Sequence, residues 1–226
     1  MMDYVSPPPS HFEEVVPVKR CVGQMQQDVF NFMAELHGWC APGKATLLVD
    51  LVLKSKPSVI VEIGVWGGKS LIPMAYALRE NKQGVIYGID PWESHESVQW
   101  VQDEANKHFW QSADHHWVLQ HLMGKVDYFG LQNQVRLVKA SSENAEPIEN
   151  IDILHIDGNH AEHTSYGDVI KWAPLVKSGG FVIFDDMKWS EQGKFTTKKA
   201  TDWLDERYYK LSEITDTCTW GIWVKP

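Results

Sequence analysis

Apolar residues along this chain fall into short unbroken runs, separated by longer segments in which they recur every three or four positions. That is the pattern of buried strands alternating with one-sided helices. The runs predict strands at 59–63, 85–89, 135–138, 152–156, 180–184, 208–214 and 219–224, with helices near 69–80, 117–129, 165–176 and 195–206. Ahead of them, Val29, Phe30, Phe32, Met33 and Leu36 mark one helix. Leu47, Leu48, Leu51 and Val52 mark a second after the turn from Gly38 to Gly43. Ser178-Gly179-Gly180 reads as a helix stop before a buried strand.

Strand-helix alternation of this kind predicts an α/β fold, a doubly wound Rossmann-like sheet of seven strands. Only Thr215 to Cys218 join the last two strands, too few residues for a crossover, so these form a terminal antiparallel hairpin. A helical insertion, Trp92 to His116, follows the second strand. It is either an ordinary amphipathic helix on the sheet or a lid over the strand ends, where open α/β sheets bind ligands.

Composition narrows the partners. With 226 residues, one domain is expected over 21–226, preceded by an arm at 1–20 that carries four prolines. A formal net charge of -9 argues against nucleic acid or an anionic membrane and for a small-molecule or protein partner. Cys21, Cys40 and Cys218 form no C-x-x-C pair, so neither a disulfide framework nor a thiolate zinc site is indicated. The opening residues lack the basic start and apolar run of a signal peptide, and no apolar stretch would span a bilayer, so a soluble cytoplasmic protein is expected. Eleven tryptophans exceed what a core of this size absorbs, which places some of them on a binding surface.

Candidate chemistry lies at the predicted strand ends. Glu62-Ile63-Gly64-Val65-Trp66-Gly67-Gly68-Lys69-Ser70 is a strand running through a glycine turn into a helix, a place where backbone N–H groups hold a negative group. Asp90 ends the next strand about twenty residues on, the position of a carboxylate that accepts ribose hydroxyls. Gly67-Gly68-Lys69-Ser70 also imitates the end of a P-loop, but that motif requires glycine at 63, where Ile63 stands. Asp157, Asp185 and Asp186 end two further strands and suit magnesium, manganese or calcium, a cation relieving their mutual repulsion. Asp186 capping the following turn is the bland alternative. His160, three residues past Asp157, is placed to accept a proton from a hydroxyl. His163 is left without a role.

With these motifs the chain resembles class I S-adenosylmethionine-dependent methyltransferases, specifically the metal-dependent O-methyltransferases, over roughly 38–224. Ala140-Ser141-Ser142-Glu143 and Asp157-Gly158-Asn159-His160 complete the likeness. It is nearest to bacterial enzymes that methylate sugar hydroxyls of antibiotics, with catechol O-methyltransferase more distant. The resemblance implies S-adenosylmethionine as cofactor and a divalent cation, magnesium first. Glu62, Gly64, Val65 and Trp66 would contact the methionine end, Ser70 its carboxylate, Asp90 the ribose, and Ser141 and Ser142 the adenine; Asp157 would lie beside the cofactor as well. Asp157, Asp185 and Asp186 resemble the metal ligands, and His160 stands where the sugar-modifying relatives carry histidine. Ala161-Glu162-His163-Thr164-Ser165-Tyr166 departs from their continuation, leaving the acceptor side open.

The function expected is therefore metal-dependent methyl transfer to a hydroxyl of a small molecule, such as a sugar or other vicinal diol, by a chain acting alone or as a homo-oligomer. A non-catalytic cofactor-binding protein on the same fold and, further off, a P-loop-like ATP-binding protein are the alternatives.

Overall fold

The computed structural model describes residues 24–226; the expected arm at 1–20 and Cys21 lie outside that range. Helices α1 (Gln24–Met33) and α2 (Pro42–Ser55) lead into strand β1 (Val59–Ile63), helix α3 (Leu71–Asn81) and strand β2 (Val85–Asp90). Proline at the first position of α2 gives up an amide that a helix start leaves unbonded anyway. The insertion is helical, α4 (Ser94–Ser97) and α5 (Glu104–Ser112), and runs on into α6 (His115–Tyr128). Asp103 and Asp114 cap α5 and α6 by accepting from the amides of Asn106 and Trp117.

Strands β3 (Val135–Lys139) and β4 (Ile151–Ile156), helix α7 (Glu162–Trp172) and strand β5 (Val176–Phe184) follow. A small hairpin, β6 (Ser190–Glu191) with β7 (Lys194–Phe195), precedes α8 (Lys198–Arg207), β8 (Tyr209–Thr215) and β9 (Thr219–Val224). The seven-stranded sheet has the order β3-β2-β1-β4-β5-β9-β8, with β9 antiparallel to both its neighbours and the other pairs parallel. The reversal of winding at β1 and β4 opens the crevice in which such sheets bind ligands.

Period-two alternation sorts the core. Ile60, Ile86, Ile153 and Ile183 face one side with α1, α2, α3 and α6, while Val61, Leu154 and Val182 face the other with α7 and α8. The tryptophans divide as well: Trp92, Trp172, Trp220 and Trp223 are buried, whereas Trp39 and Trp100 are exposed. Each buried one stabilises by more than a typical apolar side chain, whose full burial gives about 1.5–3 kcal/mol.

Two expectations are corrected. Ser178-Gly179-Gly180 does not stop a helix: α7 ends at Trp172, a 3₁₀ turn spans Ala173–Leu175, and β5 already runs through the glycines. Pro174 removes the amide that would extend the helix, and Gly179, at φ +77°, bends the strand where the β4–β5 register slips. The helix expected from 195 begins at Lys198, because Gln192 and Gly193, both at positive φ, turn the preceding residues into the β6–β7 hairpin. No helix among the described residues is long and apolar enough to cross a membrane.

Candidate active site

At the carboxyl edge of β1 the chain leaves the sheet through Gly64 and Trp66, both in the left-handed region. A Cβ on Gly64 would stand 2.1 Å from the carbonyl oxygen of Asp157, so only glycine lets the ends of β1 and β4 come together. The other glycines of the turn are closely packed as well. Gly67 lies against the His37 carbonyl and Gly68 against Leu122. Val65 is buried and its carbonyl closes the turn on the Gly68 amide.

Asp90 knits this corner. One carboxylate oxygen accepts from the Trp66 amide at 2.9 Å and the other from the Trp92 amide at 2.8 Å, while the Trp92 indole N–H donates to the Trp66 carbonyl. Burial raises the Asp90 pKa, and these amide hydrogen bonds oppose the rise. Asp90 lines a cavity of about 1090 Å³. Of the site residues expected from the sequence, only Glu62 does not line that cavity.

On the expected adenine side, Ser141 accepts from Asn144, and the Ser142 hydroxyl donates to Asp168 of α7. Asp168 was not foreseen. Burial pushes its pKa up to about 7 against the Ser142 hydrogen bond, and its second oxygen is buried without a partner. Lys171 and the Trp172 indole fix the same loop by donating to the Ser142 carbonyl. An acidic residue on the apolar face of α7 was the available signal.

The acidic edge holds two sets of groups. Beneath the cavity, His155 of β4 places Nδ1 3.2 Å from Glu62 Oε1 and Nε2 3.1 Å from Asp185 Oδ2, with all three residues at or near zero exposure. Ser70 donates to Glu62, and Lys44 of α2 donates to Asp185 Oδ2. Burial, then the Lys44 charge, pulls the His155 pKa down to about 3, and burial pushes Glu62 up to about 7. A neutral imidazole has one N–H, so both contacts are hydrogen bonds when Glu62 carries a proton to Nδ1 and Nε2–H donates to Asp185. What remains is one buried anion, Asp185, paired with one buried cation, Lys44.

Facing the cavity, His160 Nε2 lies 3.0 Å from Asp186 Oδ2, its ring packed on Trp189. Burial alone would lower the His160 pKa; the Asp186 hydrogen bond and the charges of Asp186, Asp157 and Glu191 outweigh it and raise the pKa above 6.5. The same contact overcomes burial at Asp186 and holds its carboxyl below the usual range. Asp186 sits at φ +50°, so the backbone turns as it leaves β5. Glu191, also unforeseen, is buried and accepts from the Gln102 amide at 2.6 Å, tying the insertion to the β6–β7 hairpin. Aromatic rings make much of the cavity wall: Trp66 meets Trp110 edge-on, Trp39 meets Phe109, and Trp100 lies over His163.

A divalent ion on Asp157, Asp185 and Asp186 does not fit these side chains. Asp185 Oδ2 is taken by Lys44 and His155, while its Oδ1 is buried without a hydrogen-bond partner. Donor atoms within 4.8 Å of one another group instead as His155, Asp157 and Asp185, the set that Lys44 enters, and as Asp157, His160 and Asp186.

Residues 61–187, more than half of the chain, match the family model described as a methyltransferase domain. The chain belongs to this methyltransferase family. Solved structures similar to this methyltransferase include the O-methyltransferase from Bacillus cereus in complex with SAH, at 15% identity and TM-score 0.62 over 93% of this chain and 94% of that one. The O-methyltransferase TomG from Streptomyces achromogenes, in complex with SAM, gives 15% and 0.60 over 89% of each chain. The O-methyltransferase NovP gives 22% and 0.57 over 81% and 78%. At these identities the likeness establishes the fold, which is Rossmann-like as expected. A curated relative, the uncharacterized protein y4gI of Sinorhizobium fredii, is 27% identical over 146 residues; the match spans 63% of this methyltransferase and 14% of that protein.

Proposed function

We propose that this methyltransferase moves the methyl group of S-adenosylmethionine to a hydroxyl of a small molecule, with His160 as the base. The observation that supports it most is one cavity lined both by the Gly64–Trp66 turn with Asp90 and by the His160–Asp186 pair. Asp90 would hold the ribose hydroxyls and Ser141 and Ser142 the adenine end, with Gly64 to Trp66 and Ser70 beside the methionine end. Bound S-adenosylmethionine supplies an electrophilic methyl whose bond to sulfur breaks, the pair staying on sulfur, as the bond to the acceptor oxygen forms.

The Nε2–H of His160 donates to Asp186, which leaves Nδ1 as the basic nitrogen for the acceptor proton. Asp186 then stabilises the imidazolium. Aromatic walls exclude water and offer faces for a sugar or a planar ring. Vicinal diols and sugars are the acceptor class this reading favours, in a cytoplasmic protein with no nucleic-acid or membrane partner.

A second reading, a divalent ion assisting the acceptor, is favoured by the oxygen and nitrogen donors of Asp157, His160 and Asp186. Transfer from methyl-labelled S-adenosylmethionine to a panel of sugars, catechols and polyols, with and without EDTA, tests both. Cofactor binding in calorimetry without transfer to any acceptor would leave the non-catalytic alternative. Preference for ATP over S-adenosylmethionine would restore the P-loop one.

A further inference from the structure

Lys44 is the third residue of α2 and is 3% exposed. A cation in the first turn of a helix is opposed by the helix dipole, and burial strips it of water. Both costs are offset by what it meets. Its ammonium donates to Asp185 Oδ2, lies 3.9 Å from Asp157 Oδ2, and stands 5.7 Å from the centre of the Trp220 ring. Asp157 and Asp185 are two of the three carboxylates that the family resemblance names as metal ligands. A tethered positive charge therefore already occupies the side of the edge where an ion bridging them would sit.

We propose that Lys44 takes the place of a divalent cation at this site: its ammonium neutralises Asp185 and faces Asp157, so that methyl transfer runs on a metal-free carboxylate edge. Lys44 does not line the cavity and acts through the two aspartates, as a positioning residue. The charge holds Asp185 in the buried set with His155, while Asp157 and Asp186 group with His160. The inference rests on the methyl-transfer reading for its purpose, but its test needs neither cofactor nor acceptor.

The test is titration of the full chain with Mn²⁺, followed by the electron paramagnetic resonance signal of the free ion. Wild type is expected to leave the signal of free Mn²⁺ unattenuated. Lys44→Met keeps the stem and removes the charge, so it should take up one Mn²⁺ per chain, tighter by on the order of a hundredfold, as removal of a cation about 4 Å away permits. Adding Asp185→Asn should abolish that binding. Stoichiometric Mn²⁺ binding by wild type would overturn the proposal, and so would a folded Lys44→Met that gains no site. Should Lys44→Met not fold, the wild-type titration decides alone, and absence of binding supports Lys44 over the ion. A chain that fails to bind S-adenosylmethionine but passes this test loses the functional reading and keeps the cation assignment; tight Mn²⁺ with cofactor binding intact does the reverse.

Discussion

Asp185 and Asp186 are neighbours in the chain and inhabit different surroundings. Asp185 is 2% exposed and lies in the set with His155, Glu62 and Lys44, whereas Asp186 has a quarter of its side chain exposed and pairs with His160 at the cavity. Both follow the end of β5 at Phe184, and the left-handed backbone at Asp186 turns the chain between them. The histidines follow: His155, buried away from water and near the Lys44 charge, is pulled down to about 3, while His160 beside Asp186 is raised. Burial works against the charge on both histidines; it prevails at His155, helped by Lys44, and is overcome by the Asp186 carboxylate at His160.

The largest effect should come from the outer pair. His160→Ala is expected to lower turnover by roughly two to four orders of magnitude, the usual worth of a positioned base, with cofactor affinity unchanged. Single-turnover transfer together with calorimetry measures both. Near-normal turnover would remove the base and erase the distinction between the two sets.

Next in size is a contrast in stability. Asp185→Ala leaves the buried Lys44 ammonium with only the more distant Asp157 carboxylate and should cost about 3–5 kcal/mol. Asp186→Ala breaks a partly exposed pair and should cost about 1 kcal/mol or less. Urea unfolding of the two variants reads the difference. Equal losses would mean that both carboxylates belong to one network.

How far these roles were legible in the sequence depends on where the signal lay. Apolar runs and short connections announced the seven strands and the terminal hairpin, because buried strands and tight links constrain composition directly. The cavity residues expected from the sequence were legible for the same reason, since each stands near a strand end or in the turn that follows it. Lys44, His155 and Asp168 were not. Each sits inside an otherwise apolar stretch, and its partner lies far away in the chain: Asp185 for both Lys44 and His155, Ser142 for Asp168. Asp157, Asp185 and Asp186 could be placed at one edge, but not divided between the Lys44–His155 set and the His160 pair. That division depends on which face each carboxylate takes and on a lysine arriving from α2.

Smaller again is the expected change at the cofactor corner, which lies on neither side of the contrast. Asp90→Ala should weaken S-adenosylmethionine binding by about 1.5–3 kcal/mol, the worth of hydrogen bonds to a charged acceptor. Asp90 also holds the Trp66 and Trp92 amides, so Asp90→Asn serves as the control that keeps one acceptor oxygen. Unchanged affinity in calorimetry for both variants would confine Asp90 to shaping the turn.

The smallest effect sharpens the contrast most. The base must be neutral to accept a proton, so activity should fall as pH drops through the pKa of His160. Burial pulls that pKa down, but the Asp186 hydrogen bond and the charges of Asp186, Asp157 and Glu191 prevail and keep the proton on His160 above pH 6.5. The low-pH limb of kcat should therefore lie above 6.5 in wild type. Asp186→Asn removes the anion while keeping the side chain's size, so its limb should move downward with only a modest change in the high-pH plateau. His155, held near 3, contributes no limb of its own in this range. A limb that stays in place in Asp186→Asn would show that another group titrates and that the carboxylate beside His160 does not set its proton affinity.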